Sequence, residues 1–164
     1  MKSPAFLKFL HDLRKDVYQR FIGTLLTFDP GETTGYCFFK VDGDSVDMVE
    51  HGQLPTNPVE KGAELIIQLI ERLQPTIVVY EEYKVYDWKS ASHSWSNLHT
   101  PQLIGCIKFM CSQKKIPIFH HMAQQAKIFC TDEKLVSWGF YIKGQKHARD
   151  SIRHALLYLL FTHK

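Results

Sequence analysis

The sequence predicts an α/β fold, a mixed five-stranded sheet flanked by helices with one extra helix ahead of it. Three observations predict it. Short apolar runs bounded by turn residues alternate with segments of helical spacing in the order βββαβαβα. The first three apolar runs are joined by connections so tight that antiparallel pairing follows. Acidic residues stand where two buried strands run out and where the last helix begins, the usual place for a functional site in such a sheet.

Residues 4–20 place Phe6, Leu7, Leu10, Leu13, Val17 and Phe21 at helical spacing, with Ser3-Pro4 as the start. Residues 24–28 read as a buried strand that leaves through Asp29-Pro30-Gly31-Glu32-Thr33-Thr34-Gly35. Residues 36–41 and 45–52 read as two further strands, joined through the hairpin signal Asp42-Gly43-Asp44. An amphipathic helix is expected over 59–73, stopped by Pro75, and then a fourth strand over 77–80 that runs into Glu81. Residues 83–97 are polar and aromatic without a clean period, and so read as a loop. The remainder reads as a helix over 101–113, a short strand over 116–119, helical stretches over 122–129 and 132–138, and a last helix over 147–161. We divide the chain into an N-terminal helical extension, residues 1–22, and a catalytic core, residues 23–164.

At 164 residues, with 45% hydrophobic and 23% charged, the chain fits one ordinary globular domain. Its longest apolar stretches are too short to span a bilayer, and the N-terminus meets charge too early for a signal-peptide core. A cytoplasmic location and no membrane partner are therefore expected. Cys37, Cys106, Cys111 and Cys130 show no CxxC spacing and read as reduced core thiols, since a zinc set with His120 and His121 matches no standard spacing. Charge is divided along the chain. Residues 1–104 carry 10 Lys and Arg against 14 Asp and Glu, and residues 105–164 carry 10 against 3. A basic third beside an acidic cluster is what a metal-dependent enzyme needs to act on a polyanion, although a solvated basic face has the same composition.

Three acidic stations carry the chemistry. Asp29 ends an apolar strand before a sharp exit at Pro30-Gly31, where it also suits a turn residue capping its own backbone. Glu81 and Glu82 end the fourth strand and point to opposite faces, so one of them enters a shared site. His147, Asp150 and His154 lie on one face of the last helix, and a helix start favours an ionised Asp150 or a plain cap. One shared metal site explains all three stations at once, and hard oxygen donors point to magnesium or manganese.

On these residues the chain resembles the RuvC-type Holliday junction resolvases of the RNase H-like superfamily, in the manner of a divergent phage or viral member. The resemblance spans about residues 24–162 and is carried by 28–36, 75–81, 116–119 with 123–127, and 147–151. It implies four metal ligands, Asp29, Glu81, His147 and Asp150, where His147 takes a position that is Asp in some members. It implies Lys127 and Lys134 near the scissile phosphate, with Lys127 counted among the catalytic residues. Tyr83, Tyr86 and Trp88 are the candidates for an aromatic that meets the junction, with Lys84 beside them. Lys143, Lys146, Arg149 and Arg153 are expected on the DNA backbone.

The implied activity is that of a crossover junction endodeoxyribonuclease. It would resolve four-way or other branched DNA by phosphodiester hydrolysis with two Mg²⁺, for which Mn²⁺ substitutes, and with no small-molecule cofactor. A homodimer is expected because two nicks need two active sites, with the apolar face of residues 59–73 or of the N-terminal helix as candidate interfaces. The N-terminal helix and the 83–97 loop depart from the family pattern. Three other readings share some of the residues. One is an RNase H-like nuclease acting on flaps, forks or RNA–DNA hybrids, and another is an inactive junction-binding domain. The third is a phosphotransferase of the actin and sugar-kinase type, which needs a second such domain.

Overall fold

The computed structural model of the chain describes residues 1–13, 21–42, 45–84 and 98–161. Five strands form one sheet in the order β3-β2-β1-β4-β5. These are β1 (Ile22–Asp29), β2 (Thr33–Asp42), β3 (Val46–Pro55), β4 (Ile77–Glu82) and β5 (Ile118–Met122). The first three make the expected antiparallel meander, and β4 and β5 run parallel to β1. The strands run longer than the apolar runs suggest. Cross-strand hydrogen bonds carry β1 as far as Asp29 and β4 as far as Glu82, so the carboxylates belong to the ladder ends rather than to loops.

Strand alternation sorts the apolar residues onto two faces. Leu25, Cys37, Phe39 and Val79 face α6 (Lys146–Phe161), which supplies Ile152, Ala155, Leu156 and Leu159. Leu26, Phe28, Phe38, Val78 and Tyr80 face the other way, toward Ile66, Leu69 and Ile70 of α2 (Val59–Leu73) and Leu103, Ile104 and Ile107 of α3 (His99–Gln113). Gln74 ends α2 in the left-handed region (φ 45°), and its N–H donates to the Ile70 carbonyl just before Pro75. Two short helices, α4 (Ala123–Phe129) and α5 (Asp132–Ser137), follow β5. With them in place α6 is buried from Asp150 through Leu160.

The leading helix, α1 (Pro4–Leu13), starts where Ser3 caps it. The Ser3 hydroxyl accepts the Phe6 N–H and donates to the Trp138 carbonyl. Phe6 and Leu10 are buried, and Phe6 meets Trp138 and Phe140 edge-on at 5.1 and 5.9 Å. Both apolar faces named as candidate dimer interfaces are thus spent inside the chain: α1 on the α6-side core, and α2 on the sheet and α3. Residues 14–20 of the expected leading helix lie outside the described residues. Cys37, Cys106, Cys111 and Cys130 are free thiols, as expected. Among the described residues no helix is long and apolar enough to cross a membrane.

Candidate active site

Alternation decides which carboxylates meet. Leu25, Thr27 and Asp29 fall on the α6 face of β1, and Val79 and Glu81 fall on the same face of β4. Asp29 pairs across the ladder with Gly35. The missing side chain at Gly35 lets the first turn of α6 lie directly on β2, since a Cβ there would sit 2.0 Å from the His147 carbonyl carbon. This close approach delivers His147, whose Nδ1 lies 2.8 Å from Asp29 Oδ2. From β3, Gln53 Oε1 accepts the His147 backbone N–H at 3.1 Å, and His51 Nδ1 meets Gln145 Oε1 at 3.3 Å. The turn after Asp29 is tied down by two buried hydroxyls. Thr34 Oγ1 accepts the Gly31 N–H at 3.3 Å and meets Thr56 Oγ1 at 2.9 Å, while Thr56 donates to the Gly31 carbonyl.

Asp29 is buried, and its pKa is pushed up to about 6. Burial is the largest cause, followed by the Glu81 carboxylate; Asp150 adds to the rise, and the His147 hydrogen bond works against it. Glu81 Oε2 receives His154 Nε2 at 2.9 Å. The His154 ring is fully buried and stacks on His121 of β5 at 5.8 Å and 9°. Burial, with His154 and His120 nearby, pushes the His121 pKa down to about 4 and keeps that ring neutral. Glu82 takes the opposite face, as alternation predicts. It accepts the Tyr80 hydroxyl at 2.9 Å and faces Lys108 Nζ at 3.8 Å.

Asp150 is buried on the first turns of α6 and lies between two cations. Arg153 Nη1 bonds its Oδ1, and Lys127 Nζ of α4 stands 3.4 Å from its Oδ2. Asp29, Glu81, His147, Asp150 and Lys127 are therefore gathered at one end of the sheet. Three carboxylates and one imidazole are the donor set of a hard divalent cation. The Asp29 pKa is raised first by burial and then by the Glu81 and Asp150 carboxylates, and a bound cation would offset all three. The side chains do not already form a cage: among the described residues no three His, Cys, Asp or Glu side chains sit close enough to hold an ion.

The predicted basic residues separate into two groups. Lys143 and Lys146 are exposed near the start of α6. Arg153 is the correction: it is 8% exposed, with its guanidinium committed to Asp150, Asp132 and the Cys130 carbonyl. A charge three residues from Asp150 on a helix covered on both sides is pulled inward as a partner, not displayed to a polyanion. Arg149 is likewise drawn in, donating to the Ile142 carbonyl at 2.8 Å with its guanidinium over the Tyr141 ring. Lys134 does not join Lys127. It donates to the Phe129 carbonyl at 2.7 Å and lies over the Phe129 ring. Tyr83 and Lys84 line a cleft of about 430 Å³ beside Glu81, with Pro30, Thr100 and Met122. Tyr86 and Trp88 lie outside the described residues.

The sequence reading missed the supporting residues His51, Gln53, His121 and Gln145. For His51, Gln53 and His121 the signal is the register of β3 and β5, which a single strand pattern does not reveal, and Gln145 depends on where the segment before α6 meets β3.

No family model and no curated protein sequence matches the chain. Solved structures do. Thermus thermophilus RuvC in complex with a Holliday junction substrate is similar at a TM-score of 0.65 and 16% identity, over 85% of this chain and 94% of that one. The fowlpox virus Holliday junction resolvase is similar at 0.59 and 13%, over 83% and 96%. The yeast mitochondrial Holliday junction resolvase is similar at 0.53 and 15%, over 93% and 83%. The strand order, the placement of α6 across the sheet and these likenesses agree: the chain has the RNase H-like fold in the form seen in RuvC-type Holliday junction resolvases.

Proposed function

We propose that this chain is a divalent-metal-dependent endodeoxyribonuclease that resolves branched DNA, four-way junctions foremost, as a homodimer. The observation that carries the reading is the convergence of Asp29, Glu81, His147 and Asp150 on one end of the sheet with Lys127 beside them. The substrate class is supported by the shared fold, since the Thermus thermophilus and fowlpox virus proteins were solved with Holliday junction DNA.

Asp29, Glu81, His147 and Asp150 are the residues that would hold Mg²⁺ or Mn²⁺. When bound, the metal supplies Lewis-acid activation of water and stabilisation of the departing 3′ oxygen. Asp29, with a pKa near 6, is mostly ionised at pH 7.5 and so able to act as a ligand. His147, hydrogen-bonded through Nδ1, is held in orientation by Asp29, with the rest of its ring partly exposed. Lys127 is half-exposed and free to swing from Asp150 to a phosphate oxygen, where its charge offsets what builds up in the transition state. Tyr83 and Lys84 meet the DNA in the cleft beside Glu81, and Lys143 and Lys146 bind its backbone. Tyr86 and Trp88 are assigned to stacking at the branch point on the sequence alone.

The test is cleavage of a labelled four-way junction beside a matched linear duplex, in Mg²⁺ and in EDTA, for the wild type and Asp29→Asn. Paired nicks confined to the junction and lost with EDTA or the substitution are expected. Equal cutting of duplex would favour a nuclease without junction selectivity. Tight junction binding without any cut would leave a binding domain and overturn the proposal.

A further inference from the structure

A fully buried histidine is costly unless its polar edge is satisfied, and at His154 the partner is informative. The residue sits mid-way along α6, between Arg153 and Ala155, where an aliphatic side chain would pack without any desolvation penalty. Its Nε2 meets Glu81 Oε2 at 2.9 Å, across 73 positions of sequence. Its Nδ1 is buried and has no hydrogen-bond partner among the described residues. The proton therefore belongs on Nε2, where a carboxylate receives it. Behind the ring, His121 stacks at 5.8 Å and 9°, which fixes the plane of the imidazole. Ring plane, tautomer and partner are all set from the protein's side, and they converge on one oxygen of one acid.

We infer that His154 is a positioning residue for Glu81: its Nε2–H anchors Oε2 from beneath the site and leaves Oε1 as the oxygen available to a metal. The inference rests on the metal-site reading of Glu81 given above. Free rotation of a strand-end glutamate about its last bond would present either oxygen in many orientations. A buried donor on the ring of α6 removes that freedom before any cation arrives, and the ordering cost is met during folding rather than during binding. Loss of such a supporting hydrogen bond typically weakens metal binding by about 10- to 100-fold.

The experiment compares Mn²⁺ affinity, by calorimetry and by the EPR signal of free Mn²⁺, for the full chain as wild type, His154→Leu, His154→Gln and Asp29→Asn, each checked for a cooperative thermal transition. His154→Leu keeps an apolar volume and loses the donor, so it should bind Mn²⁺ about 10- to 100-fold more weakly. His154→Gln keeps an N–H of similar reach and should recover most of that loss. If Leu distorts the core, His154→Met provides the same donor deletion on an unbranched chain. Wild-type affinity in a folded His154→Leu or His154→Met would overturn the inference, and so would a His154→Gln as weak as the donorless variant, because packing alone would then explain the residue. A wild type that takes up no Mn²⁺, or takes it up no better than Asp29→Asn, would instead overturn the metal-site reading, and the inference would fall with it.

Discussion

On the α6 face of the sheet, Leu25, Thr27 and Asp29 of β1 and Val79 and Glu81 of β4 lead from an apolar floor to two carboxylates. On the opposite face Leu26 and Phe28, then Val78, Tyr80 and Glu82, follow the same strands one residue out of phase. There Glu82 ends on a tyrosine hydroxyl and an exposed lysine. The α6 face gathers Asp150, His147 and His154 around its acids, and the α2–α3 face offers no second acid near Glu82 in any contact described above. Two adjacent glutamates of equal chemistry thus receive different environments because of strand parity and the helix that crosses each face. Position on the pleat, more than residue type, makes Glu81 a candidate ligand and turns Glu82, equally half-buried, toward Tyr80 and Lys108.

The comparison can be broken hardest at Arg153. Arg153→Met removes the buried partner of Asp150 and leaves the Cys130 carbonyl without its donor. A loss of about 3–5 kcal/mol in unfolding free energy is expected from urea titration. A variant as stable as wild type would mean that Lys127 alone is enough to compensate Asp150, and the two faces would then differ less.

A second probe is the proton on Asp29. Its folded pKa, about 6, lies above the ordinary 3.8, so the folded state holds this proton more tightly than the unfolded chain does. The stabilising contribution is therefore full below about pH 4 and fades as pH rises to about 6, by roughly 3 kcal/mol in all. In EDTA, the difference in stability between Asp29→Asn and wild type should grow in favour of the variant across that window and level off above it. A flat difference would show that burial and the neighbouring acids do not raise the Asp29 pKa above its ordinary value.

Third, Glu81→Gln should cut junction cleavage by about 100-fold or more, while Glu82→Gln should change it by less than about 2-fold and stability by under about 1 kcal/mol. Equal losses in single-turnover assays would erase the distinction between the faces. The gentlest probe pairs two glycines. Gly35→Ala drives a Cβ into the His147 backbone and should cost about 1–3 kcal/mol together with Mn²⁺ affinity. Gly105→Ala, in α3 with nothing within 4 Å of the new Cβ, should add about 0.5–1 kcal/mol of stability and leave cleavage unchanged. Thermal melts and Mn²⁺ titrations separate the two.

Much of this was legible in the chain itself. The order of strands and helices, the three acidic stations and the opposite facing of Glu81 and Glu82 follow from apolar runs, turn residues and period-2 alternation, whereas the choice of Asp29, Glu81, His147 and Asp150 came from the family resemblance. The structure adds what depends on register and on covering layers. Arg153 and Arg149 read as surface charges until α5 and the 139–145 segment close over α6. His154 lies on the same helical face as His147 and Asp150, but its meaning depends on β4 lying alongside, a pairing between segments 73 positions apart. Lys134 and Lys127 look alike in sequence and part company because α4 ends at Phe129 and presents a carbonyl to Lys134. The aromatic loop beyond Lys84 lies outside the described residues, apart from Tyr83 and Lys84 at its start.

The seating of α6 on Gly35 has a practical consequence for anyone who would rebuild this protein. The spacing between the helix start and the first strand pair is set by main chain resting on main chain, a hard stop with no adjustable side chain between. Packing changes in the α2–α3 layer or under α1 can be made in many compensating ways, and each alters how firmly the chassis is held. The gap at residue 35 has no such slack. A designer could exchange the leading helix or polish the far side of the sheet freely, whereas the tolerance of the chemistry is machined into a single missing methyl group.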